Sequence, residues 1–520
     1  MARRKRGGGR AARIAARQRG PTEEERAIWP GMEGGAYRPL TESDMERVYE
    51  TALDLIEEIG MGDPIPEFTK VVTNAGGHLD DNNRLHYPRS VVQRVVEEKA
   101  AKEWVWFGLD EDKSIELSGN KTHFGTAGAA VLVLDYQKRV FNPSTTADLY
   151  DAARLNNTLE NIHFFVRTLV TRDLQEARDV DINTAYITMM GTDKPQGTSF
   201  FQPQNVHEVV EMYDYVLGGE GEYRKRPFVC ANNTFVVPPL RFAYESNECM
   251  VAQIEAGMPI NILSAGQAGA TSPAALGGSL VQAVAECLAG LTNVNLISPG
   301  HPCAMGLWPF VSDLRTGAMT GGSGESGVLN AAAGQIANWL GLPSCVAAGM
   351  ADSKLPDNQA GYEKGMTTLL CGQAGTNLVY ESAGMLGSLL GYSHEALVID
   401  NDMLGAVIRT IRGVDINDYT LSKDVIRETV EGPGHFLGSD QTLHLMQREY
   451  IYPAIGDRNS PDDWRDAGAK SSAERAHEYV KEVMKTYFPT HISRAQDEWI
   501  RSRLPIALPV EEVTGQGTRW

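Results

Sequence analysis

The sequence is short of the residues that most often announce a mechanism. Its six cysteines, Cys230, Cys249, Cys287, Cys303, Cys345 and Cys371, are scattered singly and none forms a CxxC pair. Most lie in apolar runs, as reduced core thiols of a cytoplasmic protein do, which disfavours a disulfide framework. No HxH or HExxH motif occurs, and His301 and Cys303 would need two further ligands to hold zinc, so no protein-bound metal is expected. No GxSxG nucleophile elbow stands in strand–turn–helix context, since GGSGES from Gly321 to Ser326 departs from that pattern. No uninterrupted run of about 18 apolar residues suggests a membrane span. The net charge of -19 argues against nucleic acid as a general partner.

Positive charge is concentrated at one end. Residues 1–20 hold eight Lys and Arg and no acid. Without an apolar core this segment is no secretory signal, and it reads as a solvated, disordered tail. Residues 21–145 begin with helical patterning. Thr41 can cap a helix, with Asp44 in the capping-box position, and Glu67–Ala75 and Arg89–Lys102 read as two more helices. Short β-rich runs follow at Glu103–Phe107, Ser114–Leu117, Lys121–Phe124, Ala130–Leu134 and Arg139–Phe141, which predict a small antiparallel sheet.

Over 146–417 the rhythm becomes strand, loop, helix. The expected strands are Ile162–Leu169, Gly197–Gln202, Phe228–Thr234, Ile260–Leu263, Val294–Ile297, Cys345–Ala348, Leu378–Tyr380 and Leu397–Asp400. After the fourth, Ser272 and Pro273 suit a helix start. Eight strand–helix units are the count of an α/β protein of the (β/α)8 TIM-barrel type. An open doubly wound sheet would want a glycine-rich phosphate loop after its first strand, and Val170-Thr171-Arg172-Asp173 is not one. Residues 418–520 read as a C-terminal helical extension wrapped on the barrel, with an amphipathic helix over Ser472–Tyr487.

A barrel works at the carboxyl ends of its strands. On this reading those ends supply Arg167, Phe200, Phe201, Asn232, Phe235, Gln267, His301, Trp308, Phe310, Asp352, Lys354, Tyr380 and Glu381. Amides and aromatics dominate. Ring faces within about 6 Å hold a cation that cannot donate a hydrogen bond, each contributing roughly 0.5–2 kcal/mol. A Schiff-base role for Lys354 is conceivable, but a pairing with Asp352 or Asp357 is the plainer reading.

Two stretches carry a resemblance. Asp352-Ser353-Lys354-Leu355-Pro356-Asp357 with Gln359-Ala360-Gly361-Tyr362-Glu363-Lys364, and Gly432-Pro433-Gly434-His435-Phe436-Leu437-Gly438, resemble the trimethylamine methyltransferase family over nearly the whole chain after the basic tail. The resemblance implies a TIM barrel that moves a methyl group from a methylated amine to the cobalt of a corrinoid, a cobalamin-type cofactor carried by a partner protein. Founding members use pyrrolysine in the barrel. Its place here corresponds to Leu355, which implies the non-pyrrolysine branch and a quaternary substrate, glycine betaine first, giving dimethylglycine. Carnitine, proline betaine, choline and trimethylamine are the alternatives, as is a betaine-binding protein without transfer activity. Expected substrate-binding residues are Phe201, Asn232, Phe235, Gln267, His301, Trp308, Phe310, Tyr380, Glu381 and His435. A substrate carboxylate would meet Arg167, His301, Asn232, Gln267 or His435. A homo-oligomer free of nucleic acid and membrane completes the expectation.

Overall fold

A computed structural model describes residues 25–517 and 519–520. The basic segment 1–20 lies outside the described residues. The organising element is a parallel sheet of short strands: Lys121–Phe124 (β1), Phe165–Val166 (β2), Gln196–Thr198 (β3), Val229–Ala231 (β4), Ile260–Ser264 (β5), Cys303–Leu307 (β6), Ser344–Ala347 (β7) and Leu378–Tyr380 (β8). From β2 to β8 each pairs in parallel with the next. β8 then pairs in parallel with β1. A parallel bridge joins Gly125 to Phe164, and the His163 amide donates to the Phe124 carbonyl at 2.7 Å. The sheet therefore curls until β1 comes beside β2.

Each strand is followed by a helix: Thr146–Asn157 (α1), Ala177–Gly191 (α2), Pro203–Leu217 (α3), Tyr244–Ala256 (α4), Leu276–Ile297 (α5), Gly324–Trp339 (α6), Asn358–Ala374 (α7) and His394–Arg412 (α8). The strand–helix alternation is as expected, but three assignments change. Val294–Ile297 is the last turn of α5, and the strand is Cys303–Leu307. Leu397–Asp400 lies inside α8. Lys121–Phe124 belongs to the parallel sheet, so that sheet begins within the stretch read as the N-terminal domain. The start of α5 also moves. Ala275 precedes its first turn, and Ser272 Oγ instead lies 2.7 Å from Ser279 Oγ. Among the described residues α5 is the one helix with the length and composition of a membrane span, yet 83% of its most apolar window is buried in the core. It is a core helix of this fold.

The N-terminal segment plugs the amino end of the sheet. Thr41 and Asp44 form the expected capping box on the helix Glu42–Asp54. Trp104–Trp106 pairs antiparallel with Ile115–Leu117, as the alternation predicts. The indole of Trp104 donates to the Cys303 carbonyl and that of Trp106 to the Phe228 carbonyl, each at 3.2 Å. These carbonyls sit at the starts of β6 and β4, so the hairpin covers that end. All six cysteines are buried and free.

The C-terminal helix Ser472–Thr486 buries Ala476, Val480, Val483 and Met484. Arg154 of α1 donates to the carbonyls of Met484 and Tyr487 at 3.1 and 3.0 Å, which ties this helix to α1. Two further helices, Arg494–Arg501 and Val510–Thr514, follow it.

Candidate functional site

Side chains alternate across a strand, so every second residue of a curled sheet points inward. The inward set forms a shaft. At its floor the Trp106 ring lies 5.2 Å from Phe164, and Phe164 lies 4.9 Å from Tyr380. Tyr380 ends β8, and Trp308, just past β6, approaches it edge-on at 5.4 Å. Phe310 continues the row 6.4 Å from Trp308. Facing the rings are the amides of Asn232 and Asn261, 3.3 Å apart, and the thiol of Cys345. Cys345 Sγ accepts from the Asn261 amide at 3.2 Å and from the Trp308 indole at 3.4 Å. Burial pushes the Cys345 thiol up to about 12, so it stays protonated and is no nucleophile.

Both carboxylate oxygens of Glu381 are buried without a partner, as is Asn261 Oδ1, while the Tyr380 hydroxyl has the side chains of Asn232 and Asn261 beside it. Buried polar groups are nearly always satisfied, so these atoms make the position a candidate for binding. Glu381 follows β8 directly, is 1% exposed, and has a left-handed backbone with φ 63°. Burial lifts its carboxyl to about 8, while Lys364 pulls in the opposite direction. Lys364 is itself engaged, with Nζ 2.6 Å from Asp400 Oδ2.

Arg167 follows β2 on the same rim. Among the described residues no hydrogen bond reaches its guanidinium. Burial lowers its affinity for the proton, against the attraction of Asp181. Asp181 accepts from the Phe201 amide and from Asn205, and burial raises it to about 6. The loops that follow β5, β6 and β7 on this face enclose a depression of about 720 Å³ walled by Ala268, Val311, Asp313, Arg315, Asp352 and Ser388.

The loop that carries the family resemblance is built differently. Asp352 accepts from the Gly321 amide at 2.9 Å and from the hydroxyls of Ser388 at 2.6 Å and Thr320. Its own amide donates to Glu363 at 2.7 Å. Asp357 caps α7 through the Ala360 amide and accepts from Ser353 Oγ. Lys354 Nζ donates to the Asp352 backbone carbonyl at 2.7 Å and is exposed, so its nearest partner is the loop itself. The half-buried Leu355 packs with Leu134, Ala351, Ala360, Leu386 and Ala396, an apolar cluster outside the shaft. It borders an outer groove with Tyr136 and Tyr362, not the aromatic row.

The predicted residues thus divide. Asn232, Trp308, Phe310 and Tyr380 come together, and Glu381 follows Tyr380 close enough for its charge to act on Cys345. Phe235 is buried nearby, after β4, and Gln267 is half-buried on the rim, where its Oε1 accepts from Ser312 at 3.3 Å. Phe201 is on the rim but 56% exposed. His301 is at the wrong end: it precedes β6 and its Nε2 contacts the Met258 carbonyl at 2.8 Å, before β5. His435 lies in an exposed run, Gly432 to Gly438, after α8. Trp106, Phe164 and Asn261 were not anticipated. Among the described residues no group of three His, Cys, Asp or Glu could hold a metal ion.

The architecture is the α/β fold of a known methylamine enzyme. It matches the hydroxylamine complex of MtmB over 85% of this chain and 87% of that one, with a TM-score of 0.51 at 11% identity. The chain belongs to the trimethylamine methyltransferase (MTTB) family, whose profile matches residues 6–504. It is similar to trimethylamine methyltransferase MttB1 of Methanosarcina mazei, 32% identical over 461 residues, covering 86% of this chain and 90% of the relative. It is also similar to the glycine betaine methyltransferase of Desulfitobacterium hafniense, 27% identical over 460 residues, covering 87% and 93%.

Proposed function

We propose that the protein is a corrinoid-dependent methyltransferase for a small quaternary amine, glycine betaine first, and that its curled sheet is a closed (β/α)8 barrel. The observation that carries this is the shaft of rings and neutral amides with one unpartnered carboxyl group at its rim, where the nearby Lys364 is already bound to Asp400. A quaternary ammonium already has a neutral tertiary amine as its leaving group, so no proton need be delivered. A corrinoid carried by a partner protein would supply the Co(I) nucleophile for methyl transfer. This chain's residues then desolvate and aim. Tyr380 and Trp308 offer ring faces to the cation, Glu381 its negative charge, and Asn232 with Asn261 a polar lining that cannot compete as a nucleophile. The Trp104–Trp106 hairpin seals the far end against water. Arg167 suits the carboxylate of a betaine, since a guanidinium without a partner recognises a carboxylate through paired donors. The bridge between Gly125 and Phe164 supports closure of the barrel.

Leu355 supports a non-pyrrolysine reading through sequence position alone. The structure gives it a packing role rather than a place among the rings, so it does not fill a space left in the shaft. The test is direct. Purified protein is mixed with cob(I)alamin and, separately, glycine betaine, carnitine, proline betaine, choline or trimethylamine. The expected result is Co(I) consumed with glycine betaine and dimethylglycine formed in equal amount. Consumption with trimethylamine alone would contradict the quaternary reading.

A further inference from the structure

The face around β7 and β8 buries many carboxylates, and one differs from the rest. Asp352 takes three donors, Asp400 takes Lys364 Nζ and the Gly384 amide, and Glu363 takes the Asp352 amide and Gln359. Elsewhere Glu286 takes the Leu240 amide, Gln282 and Ser264, and Asp181 takes the Phe201 amide and Asn205. Glu381 takes none at either oxygen. A buried carboxyl group without a donor is unfavourable in either protonation state, and most so when ionised. The strain is not confined to the side chain, because a non-glycine residue at φ 63° is itself disfavoured. Unfavourable features that coincide at one strand end, on the working face of the sheet, mark a functional position.

The surroundings say which ligand would relieve it. The charged and titratable groups facing Glu381 are Lys364 from α7, Cys345 from β7 and, behind Lys364, Asp400 from α8. Asp400 neutralises Lys364, so no free cation is offered from the helices. The loop after β1 passes over the carboxylate at Gly128, with φ 117°. A Cβ there would come within 3.1 Å of Glu381 Oε2 and 2.8 Å of Met385 Cε. Glycine at 128 thus keeps a side chain of that loop off the carboxyl group, and neither oxygen has a donor or a free counter-ion, since Lys364 is bound to Asp400.

We propose that Glu381 is the cation-specificity residue of this site, and that it gives up its proton as a quaternary ammonium binds. This rests on the functional reading above and adds the group that selects charge. The step balances simply. The neutral carboxyl group loses its proton to solvent, the carboxylate remains, and the ammonium becomes its counter-ion, with no bond to carbon made or broken. Burial holds the free carboxyl group near 8. At pH 7 the proton is therefore present before binding, and the cation must displace it.

The test is calorimetry on the full chain in two buffers of different ionisation enthalpy. The probes are glycine betaine, tetramethylammonium and 3,3-dimethylbutyrate, which keeps the shape and carboxylate of betaine but has carbon in place of the cationic nitrogen. At pH 7 both cations should release close to one proton per site, falling toward none by about pH 9, and 3,3-dimethylbutyrate should release none. Affinity for the cations should rise about tenfold per pH unit up to about 8 and then level off. Glu381→Gln should abolish proton release and weaken cation binding at least about 100-fold, while 3,3-dimethylbutyrate binds as to the unaltered protein. Glu381→Asp should retain proton release. Betaine turned over by a protein that releases no proton would overturn this proposal and leave the functional reading intact. Tetramethylammonium bound with proton release, but no betaine turned over, would do the reverse.

Discussion

Two neighbouring strand ends on one face of the sheet have been given opposite treatment. After β7 the loop from Asp352 to Asp357 has almost every polar atom answered: Asp352 collects donors from two segments, Asp357 caps a helix, and Lys354 turns back on its own backbone. After β8 the chain places Glu381 in a strained conformation and answers neither oxygen. The first end has the longer motif and the more conspicuous charges, and it is structural. The second has one glutamate, and it is the residue to which we assign the binding chemistry. A satisfied network spends its polarity on holding shape, whereas an unsatisfied one keeps it for a ligand.

The contrast can be broken or sharpened by substitution. The largest effect belongs to Glu381→Gln, which should lower kcat/KM for betaine demethylation by about 100-fold or more, because a desolvated charge pair loses one partner. Steady-state loss of Co(I) measures it. Next comes the row of rings. Trp308→Leu should cost about 10-fold in kcat/KM, matching roughly 1–2 kcal/mol of desolvated cation–π contact, whereas Tyr380→Phe keeps the ring and should cost less than about 3-fold. Arg167→Met should raise KM for betaine about 10-fold and leave tetramethylammonium binding unchanged, separating carboxylate recognition from cation recognition. The smallest effect on activity belongs to the other strand end. Leu355→Ala should lower stability by about 1–2 kcal/mol, as a half-buried leucine does, with turnover per folded molecule within about twofold. Thermal unfolding beside an activity assay reads both.

Much of this was legible in the residues. The alternation of apolar runs and helical stretches pointed to repeated strand–helix units, and the strand ends at Asn232, Tyr380 and Glu381 were found because those strands were correctly placed. Val294–Ile297 and Leu397–Asp400 misled because a short apolar run inside a buried helix has the composition of a strand. Lys121–Phe124 was read as a strand but given to the antiparallel sheet, since its partner Leu378–Tyr380 lies far along the chain. Cys303–Leu307, which takes the place of Val294–Ile297, is weakly marked, reading CAMGL with Gly306 next to its end. That one shift moved His301 from the working rim to the opposite end. Trp106 and Phe164 were missed for a different reason. They reach the shaft from a plugging hairpin and from just before a two-residue strand, and only the curling of the sheet brings them to Tyr380. The unanswered state of Glu381 is a property of its neighbours, so no reading of residue types could have found it.

Glu381 also carries a stability signature. Its carboxyl group stays protonated in the folded chain up to about pH 8 but ionises at ordinary carboxylate pH when unfolded, near 4.5. Between those values the folded state holds the extra proton, so this group makes stability fall as pH rises. Glu381→Gln should remove that part of the slope and raise the melting temperature at pH 8 relative to the unaltered protein.

The most direct measurement is a crystal structure with glycine betaine bound. The account predicts the trimethylammonium group against the rings of Tyr380 and Trp308, with Glu381 as its nearest carboxylate and a methyl group turned toward the open face. Betaine seated instead in the outer groove beside Leu355, with Glu381 still unpartnered, would contradict it.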